Sequence, residues 1–168
     1  MANPGLKLPP PFEAAIEPYE RELMRFMIRM TGDREDAMEL FQEMCLRAYQ
    51  AYPRLTDFEQ IRAWLYRIAV NLCRNRARDN ARRARVITDS SVNHREPVVD
   101  DASAGQDLGA IRDLIAALPY KQREALTMRK FGGLGYDQIA HALGCSVEGA
   151  RANVSQALRK LKAEWDQL

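Results

Sequence analysis

The segment from Tyr136 to Val147 constrains the fold of this chain more than any other part of its sequence. An apolar helical pattern that includes the small Ala140 is followed four residues later by Gly144, which tolerates the left-handed backbone of a tight turn. Ser146 can cap a second helix that starts at Val147. One buried face of this second helix is predicted from its apolar spacing: Val147, Ala150, Val154, Leu158 and Leu161. Two helices that cross closely at a small residue are typical of a helix-turn-helix.

Helical periodicity continues through most of the remaining sequence. In the first half, Thr31-Gly32-Asp33 separates two amphipathic patterns, and Asp33 is placed to cap the second of them. A third pattern runs from about Glu59 into an arginine-rich stretch. Residues 86–106 are rich in Ser, Asp, Asn, Pro and Val without a helical period, which indicates a flexible linker. The chain is therefore predicted to be all-α.

We predict two small helical domains, at residues 12–85 and 107–168, joined by the linker at residues 86–106. The first domain is expected to have at least three helices, and the second about four, including the helix-turn-helix. The proline-rich stretch from Leu6 to Phe12 indicates a frayed lead-in, so residues 1–11 are expected to form a flexible N-terminus. Hydrophobic residues make up 46% of the chain and charged residues 29%, which fits buried cores with a soluble surface.

The net charge of +2 conceals two segments of opposite charge. From Asp33 to Glu43 there are five acidic residues and a single arginine. From Arg74 to Arg85 there are six arginines and a single aspartate. Such a separation predicts two different partners, one basic and one anionic. The acidic segment could be an ordinary solvated helix face, but beside a basic nucleic-acid surface it indicates docking to another protein.

The second helix of the helix-turn-helix has a polar outer face suited to the major groove. Arg, Asn and Gln pair with base edges, and Lys and Arg also bind phosphates. This outer face is predicted to contain Glu148, Arg151, Ala152, Asn153, Ser155, Gln156, Arg159 and Lys160. The alternative from the residues alone is a helical hairpin with a polar surface.

The helix from Ile61 to Arg78 is predicted to have two functional faces. Ile61, Leu65, Ile68 and Leu72 form an apolar stripe for packing. A second stripe combines aromatic, amide and guanidinium groups, which suit unstacked bases and a phosphate backbone. It consists of Trp64, Arg67, Asn71, Arg74 and Arg78. The alternative is a basic solvated helix in which Trp64 belongs to the core.

Nothing in the sequence indicates catalysis, a metal site or a cofactor. Cys45, Cys73 and Cys145 lack metal-binding or disulfide spacing and are expected to be buried free thiols. His94 and His141 are isolated and expected to be exposed, and the glycines at 132–135 indicate a turn because no phosphate-binding lysine follows. We find no apolar stretch long enough for a membrane span and no signal pattern, and a reducing cytoplasm fits these features.

Two sets of residues resemble a known family. Leu118-Pro119-Tyr120-Lys121-Gln122-Arg123-Glu124-Ala125-Leu126 and the segment from Phe131 to Ser146 closely resemble region 4 of sigma-70-family factors. Residues from Asp33 to Glu43 and from Ala63 to Asn71 resemble region 2. The order and the short linker are similar to those of the extracytoplasmic-function (ECF) group. The resemblance implies a subunit that binds core RNA polymerase, recognises the −35 and −10 promoter elements and promotes strand opening.

The resemblance also implies roles for individual residues. Core-polymerase docking, on the β′ clamp helices, is implied for Asp36, Glu39, Gln42 and Glu43. Recognition of the −10 element on the non-template strand is implied for the connector Arg54 to Phe58, and within it for Arg54, Asp57 and Phe58, together with Trp64 and Asn71. Arg67, Arg74 and Arg78 belong to the same polar stripe and are predicted to contact the same strand. Recognition of the −35 element is implied for Arg151, Asn153 and Gln156, with Arg159 and Lys160 nearer phosphates. Further implied partners are the polymerase β flap and an anti-sigma factor.

Two alternatives compete with this prediction. A stand-alone helix-turn-helix repressor or activator would bind duplex DNA without polymerase and would not need Trp64 and Asn71 on one face. An enzyme acting on nucleic acid would need clustered acids with histidine, zinc spacing or a Gly-Lys phosphate loop, and the sequence has none of these.

Overall fold

The computed structural model describes residues 9–86 and 106–167, and every regular element within those ranges is helical. The all-α prediction is therefore confirmed. The α-helices are α1 (Phe12–Ile16), α2 (Glu20–Thr31), α3 (Arg34–Ala51), α4 (Ile61–Val86), α5 (Gln106–Ala117), α6 (Tyr120–Lys130), α7 (Tyr136–Leu143) and α8 (Val147–Trp165). Short 3-10 turns lie at Glu17–Tyr19, Tyr52–Arg54 and Phe58–Gln60. Most of the predicted linker, His94 included, lies outside the described residues.

The N-terminal half is built from α2, α3 and α4, which pack against one another. Helix α2 ends at Gly32, whose φ of 70° is the left-handed conformation that terminates a helix at low cost to glycine. Asp33 then caps α3, because its side chain accepts a hydrogen bond of 2.8 Å from the backbone N–H of Asp36. Both predictions for this junction are confirmed.

The C-terminal half contains the helix-turn-helix as α7 and α8. Gly144 between them has a φ of 66°, and the Ser146 hydroxyl accepts a hydrogen bond of 3.0 Å from the Gly149 N–H. These are the turn and the cap that the sequence predicts. Helix α8 packs on α6 and α7 through a face that includes the buried Ala150 and Val154.

One residue of that predicted face was assigned wrongly. Leu158 is 41% exposed, whereas the neighbouring Ala157 is fully buried. At about 100° per residue, Ala157 lies about 40° from the mean direction of Ala150, Val154 and Leu161, and Leu158 lies about 60° from it on the other side. The small Ala157 therefore meets the core, and Leu158 faces solvent.

The two halves pack against each other, and their buried apolar side chains form a single cluster. Helix α4 contacts α2 and α3 on one side and α7 on another, and α2 also contacts α6. The largest side chains of the cluster come from both halves, among them Leu23, Tyr66, Leu126 and Ile139. As a result, the helix that was predicted to face promoter DNA also supports the first helix of the helix-turn-helix.

No helix in the described ranges is long and apolar enough to cross a membrane.

Candidate nucleic-acid interface

A cleft of about 330 Å³ lies between the α3–α4 connector and the start of α4. Its walls are formed by Ala51, Arg54, Leu55, Thr56, Asp57, Gln60, Trp64 and His141. Asp57 shapes the connector, because its carboxylate accepts hydrogen bonds from the N–H groups of Glu59 (3.1 Å) and Gln60 (3.3 Å). The structure thus brings together three of the predicted residues, Arg54, Asp57 and Trp64, around a space with guanidinium, carboxylate and indole groups.

The positions of two residues in this region were not predicted from the sequence. Phe58 does not line the cleft, and its ring instead packs edge-on against Tyr52 at a centroid distance of 5.6 Å. His141 comes from α7, far along the chain, and also lines the cleft. It is exposed, as the sequence predicts, but no local signal could have placed it beside Trp64.

Beyond the cleft, the polar face of α4 continues with Arg67, Asn71 and Arg78, all of which are exposed. Arg74 belongs to the same stripe but points into the contact between the halves. Its Nε and one of its terminal nitrogens each donate a hydrogen bond of 2.7 Å to the Glu124 carboxylate on α6. This guanidinium is therefore paired with a carboxylate, whereas the sequence predicts that it contacts DNA.

The Arg74 partner is unusual because the Glu124 side chain has no exposed surface. Burial raises the pKa of the Glu124 carboxyl, and the hydrogen bonds and charge of Arg74 oppose that effect. The same ion pair raises the pKa of Arg74. Sequence analysis did not identify Glu124, because a glutamate in a helix of mixed composition gives no sign of burial.

A second arginine of α4 also connects the halves. Arg62 donates hydrogen bonds of 2.7 and 2.8 Å to the Glu22 carboxylate on α2, and another to the carbonyl oxygen of Gly132. The bond from Arg62 to Gly132 and the bonds from Arg74 to Glu124 therefore attach the α6–α7 segment to α4. Both arginines are less than one-third exposed, so their charges are only partly screened by water.

The acidic face of α3 lies on the outside of the N-terminal half. Asp36 and Glu39 both pair with Arg76 of α4, the latter at 3.1 Å. Glu43 pairs with Arg47 one turn along the same helix, and Gln42 is exposed. The four predicted docking residues thus share one surface, on which Arg76 neutralises part of the negative charge.

Three large apolar side chains are exposed on the same helix as this acidic surface. Met38, Leu46 and Tyr49 are each about half exposed. Sequence analysis missed them, although their spacing of eight and three residues, offset from the buried stripe of Leu40 and Met44, is a signal that could have found them. Exposed apolar groups within a charged rim are typical of a protein-binding surface.

The outer face of α8 presents the residues that were predicted for duplex recognition. Arg151, Gln156, Arg159 and Lys160 are exposed, and the last three border a shallow cleft of about 440 Å³. Asn153 is only half exposed, and its amide donates a hydrogen bond of 3.0 Å to the Gly149 carbonyl within the helix. The Arg151 guanidinium lies 4.8 Å from the centre of the Tyr136 ring, a cation–π contact that orients it.

The three cysteines have different environments. Cys73 is buried, and burial raises the pKa of its thiol to about 12. Cys45 is half-buried. The expectation of burial is wrong for Cys145, which is exposed because it lies in the tight turn between Gly144 and Ser146. Within the described parts of the chain, no group of His, Cys, Asp and Glu side chains could hold a metal ion.

Two family models match most of this chain. The family model for Sigma-70 region 2 matches residues 15–83, and the model for Sigma-70 region 4 matches residues 108–161. The ECF RNA polymerase sigma factor SigC of Mycobacterium tuberculosis is 32% identical over 152 residues, which cover 90% of this chain and 82% of SigC. SigG of the same species is 30% identical over 90% of this chain, but this chain spans only about half of it (48%).

The fold is shared with a solved sigma factor. RpoE of Bartonella quintana, whose structure was determined in complex with the anti-sigma factor NepR, superposes with a TM-score of 0.79. The sequences are 20% identical, and the match covers 90% of this chain and 94% of RpoE. The chain is therefore a helix-turn-helix protein whose N-terminal half matches a second sigma-factor segment, region 2. The chain belongs to the sigma-70 family, in its extracytoplasmic-function group.

Proposed function

We propose that this sigma factor initiates transcription through three surfaces. Helix α3 binds core RNA polymerase, and α8 binds the −35 duplex. The cleft lined by Arg54, Asp57 and Trp64, called the Trp64 cleft below, binds the −10 strand. The observation that supports this division most directly is the cleft itself. Arg54, Asp57 and Trp64 surround a space at the end of a basic, amide-bearing helix face. Aromatic and guanidinium groups around such a space suit an unstacked base and its backbone.

Core docking is assigned to the α3 surface. Glu39, Gln42 and Glu43 provide charge and hydrogen-bonding groups, and the exposed Leu46 and Tyr49 provide apolar area. A basic and partly apolar surface would complement it, as the resemblance to region 2 implies for the β′ clamp helices. Region 4 would contact the β flap while α8 lies in the major groove.

Recognition of duplex DNA is assigned to Arg151, Asn153 and Gln156, with Arg159 and Lys160 on phosphates. The exposed side chains among them lie on the half of α8 that is turned away from the buried Ala150, Val154 and Ala157, which is the half that a recognition helix presents to the groove. Asn153 must exchange its bond to the Gly149 carbonyl for a bond to a base, so its contribution is smaller than that of Arg151.

Strand capture requires a change in the contact between the halves. Arg74 can bind phosphate only when Glu124 releases it, and His141 lines the cleft until α7 moves. Region 4 therefore separates from α4 when the protein binds polymerase and promoter. An anti-sigma factor would act by keeping these surfaces covered.

The test is in vitro transcription with purified core polymerase on a pool of genomic promoter fragments, followed by mapping of the start sites. Start sites that depend on this protein are expected. Glu39→Lys should lower affinity for core polymerase, and Arg151→Ala should lower use of the −35 element. Asp113→Lys and Arg21→Ala make similar charge changes on exposed helix positions outside these surfaces and should have little effect.

The outcome separates this function from a stand-alone repressor. A repressor would shift duplex DNA by itself and would give no start sites with core polymerase. The match of residues 15–83 to region 2 favours the initiation factor, because a repressor needs no such unit.

A further inference from the structure

The N-terminal segment, from Pro10 to Phe12, packs against the base of the connector that lines the Trp64 cleft. Pro10 precedes helix α1, and the Tyr52 hydroxyl donates a hydrogen bond of 2.7 Å to the Pro10 carbonyl oxygen. The Phe12 ring makes edge-to-face contacts with Tyr49 and Tyr52, at centroid distances of 5.5 and 5.4 Å. Two kinds of contact therefore join Pro10 and Phe12 to residues some forty positions later.

The partner of these contacts is the base of the connector. Tyr52 is buried, and its ring lies 5.6 Å from the Phe58 ring, centre to centre. This contact holds the two ends of the connector together. Between them lie Arg54 and Asp57, both of which face the cleft. The hydrogen bonds that hold this stretch within the described residues are those of the Asp57 cap and a turn bond from the Leu55 N–H to the Tyr52 carbonyl. Its position therefore depends on the Tyr52–Phe58 ring contact, together with the packing of the half-buried Leu55 on the core.

The N-terminal segment supports that pair from the outside. Edge-to-face ring contacts prefer particular orientations, so Phe12 fixes the tilt of the Tyr52 ring as well as its place. The hydrogen bond to Pro10 fixes the hydroxyl end of the same ring. A displacement of Tyr52 would move both Phe58 and the residues between them, and errors of about 1 Å can sharply reduce the strength of a positioned interaction.

We infer that Phe12 and Pro10 are positioning residues for −10 recognition, which act through Tyr52 and Phe58 on the cleft residues Arg54 and Asp57. The inference rests on the proposed function of the cleft. The N-terminal segment would touch no DNA. It would determine how strongly the cleft prefers one base over the others.

The experiment uses the full-length protein bound to core polymerase. The probe is a pool of single-stranded DNA with a randomised ten-base segment, and bound molecules are sequenced to obtain the preference for each base. Phe12→Leu keeps an apolar side chain but loses the ring contacts, and Tyr52→Phe keeps the rings but loses the hydrogen bond. Phe131→Leu is the matched control, because Phe131 is an exposed ring at the end of α6, beside Arg29.

Base preference is measured as the ratio of the most to the least frequent base at a position among the bound molecules. Phe12→Leu is expected to lower the largest of these ratios by roughly tenfold, and Tyr52→Phe to lower it less. Phe131→Leu should leave the preference as it is in the parent protein. Affinity for a fully duplex promoter fragment should not change in any of the three. Thermal unfolding of each variant shows whether the fold is intact. An equal loss of duplex and single-strand binding by Phe12→Leu would overturn the inference, because it would indicate a general loss of structure.

A second comparison separates this inference from the function on which it rests. Asp57→Ala and Trp64→Ala should each abolish the base preference. If both retain it, the cleft does not recognise the base, and the proposed function fails together with the inference. If both lose it but Phe12→Leu retains it, the cleft functions and only the positioning role is refuted. The combination of Phe12→Leu with Asp57→Ala should be no worse than Asp57→Ala alone.

Discussion

Arg74 on α4 and Glu124 on α6 form a two-point ion pair between the halves of the protein, with both N–O distances at 2.7 Å. A guanidinium binds carboxylate and phosphate with the same fork of donors. Glu124 therefore binds the guanidinium that the sequence predicts to contact the DNA backbone. The ion pair links the packing of the two halves to the availability of a DNA contact.

Replacing Glu124 by Gln tests the contribution of this ion pair. The change keeps the shape of the side chain but leaves the mostly buried Arg74 without a countercharge. We expect the free energy of unfolding to fall by about 3 kcal/mol, measured by urea denaturation. Glu43→Gln breaks the exposed pair with Arg47 and should cost less than about 1 kcal/mol. Similar losses in both variants would show that burial of the ion pair has no special effect.

A methyl group at Gly132 should disturb the contact between the halves. A Cβ there would lie 2.8 Å from the Tyr66 hydroxyl oxygen and 2.8 Å from the Met128 carbonyl oxygen. Both distances are too short, so Gly132→Ala should destabilise the protein by about 1–3 kcal/mol in thermal unfolding. Gly109→Ala is the control, because a Cβ meets nothing within 4 Å inside α5 and should stabilise that helix by about 0.5–1 kcal/mol. Unchanged stability of Gly132→Ala would mean that the α6–α7 turn is not pressed against α4.

Alkaline pH should destabilise the fold through its buried acids. Burial raises the pKa of Cys73 from 9.0 to about 12 and also raises the pKa values of Tyr66 and Tyr120 above 10.0. The folded state thus retains protons that the unfolded chain releases. Stability from these groups is fully present below pH 9 and is lost as the pH rises from about 9 toward 12.

The Cys73 contribution can be isolated in the lower part of that window. Cys73→Ala should reduce the loss of unfolding free energy between pH 9 and pH 10 by about 1 kcal/mol, because the tyrosines contribute mainly at higher pH. Cys145→Ala removes an exposed thiol and should follow the parent protein. A Cys73→Ala protein with the parental slope would contradict the assignment.

Asn71→Ala tests the polar face of α4 apart from the ion pair. Asn71 is exposed, so its removal should leave stability within about 0.5 kcal/mol. Promoter opening, measured by permanganate footprinting, should weaken more than binding of the closed complex in a gel shift. Asn80→Ala changes an exposed asparagine nine residues on, about half a turn around the helix, and should affect neither. Equal losses of opening and binding in Asn71→Ala would argue against strand contact.

The local structure could be predicted closely from the sequence. Gly32, Asp33, Gly144 and Ser146 each act within three residues of their own position, and the structure places a left-handed turn or a cap at all four. The all-α fold follows from the spacing of apolar residues, which needs no knowledge of the partner helix. The error at Leu158 arose because two adjacent positions on a helix can both fit an apolar spacing, and only the packing of α6 and α7 on α8 selects Ala157.

The sequence by itself determined the helices, their caps, the family and the chemistry of each surface. Tertiary structure alone decided which groups meet. Tyr52 and Pro10 are 42 residues apart, Arg74 and Glu124 are 50 apart, and Arg62 and Gly132 are 70 apart. Periodicity reports which side of a helix is buried, but not which residue of a distant helix lies opposite. The pairing of Arg74 with Glu124, the position of His141 at the cleft and the support of the connector by Phe12 exist only because the helices pack in this arrangement.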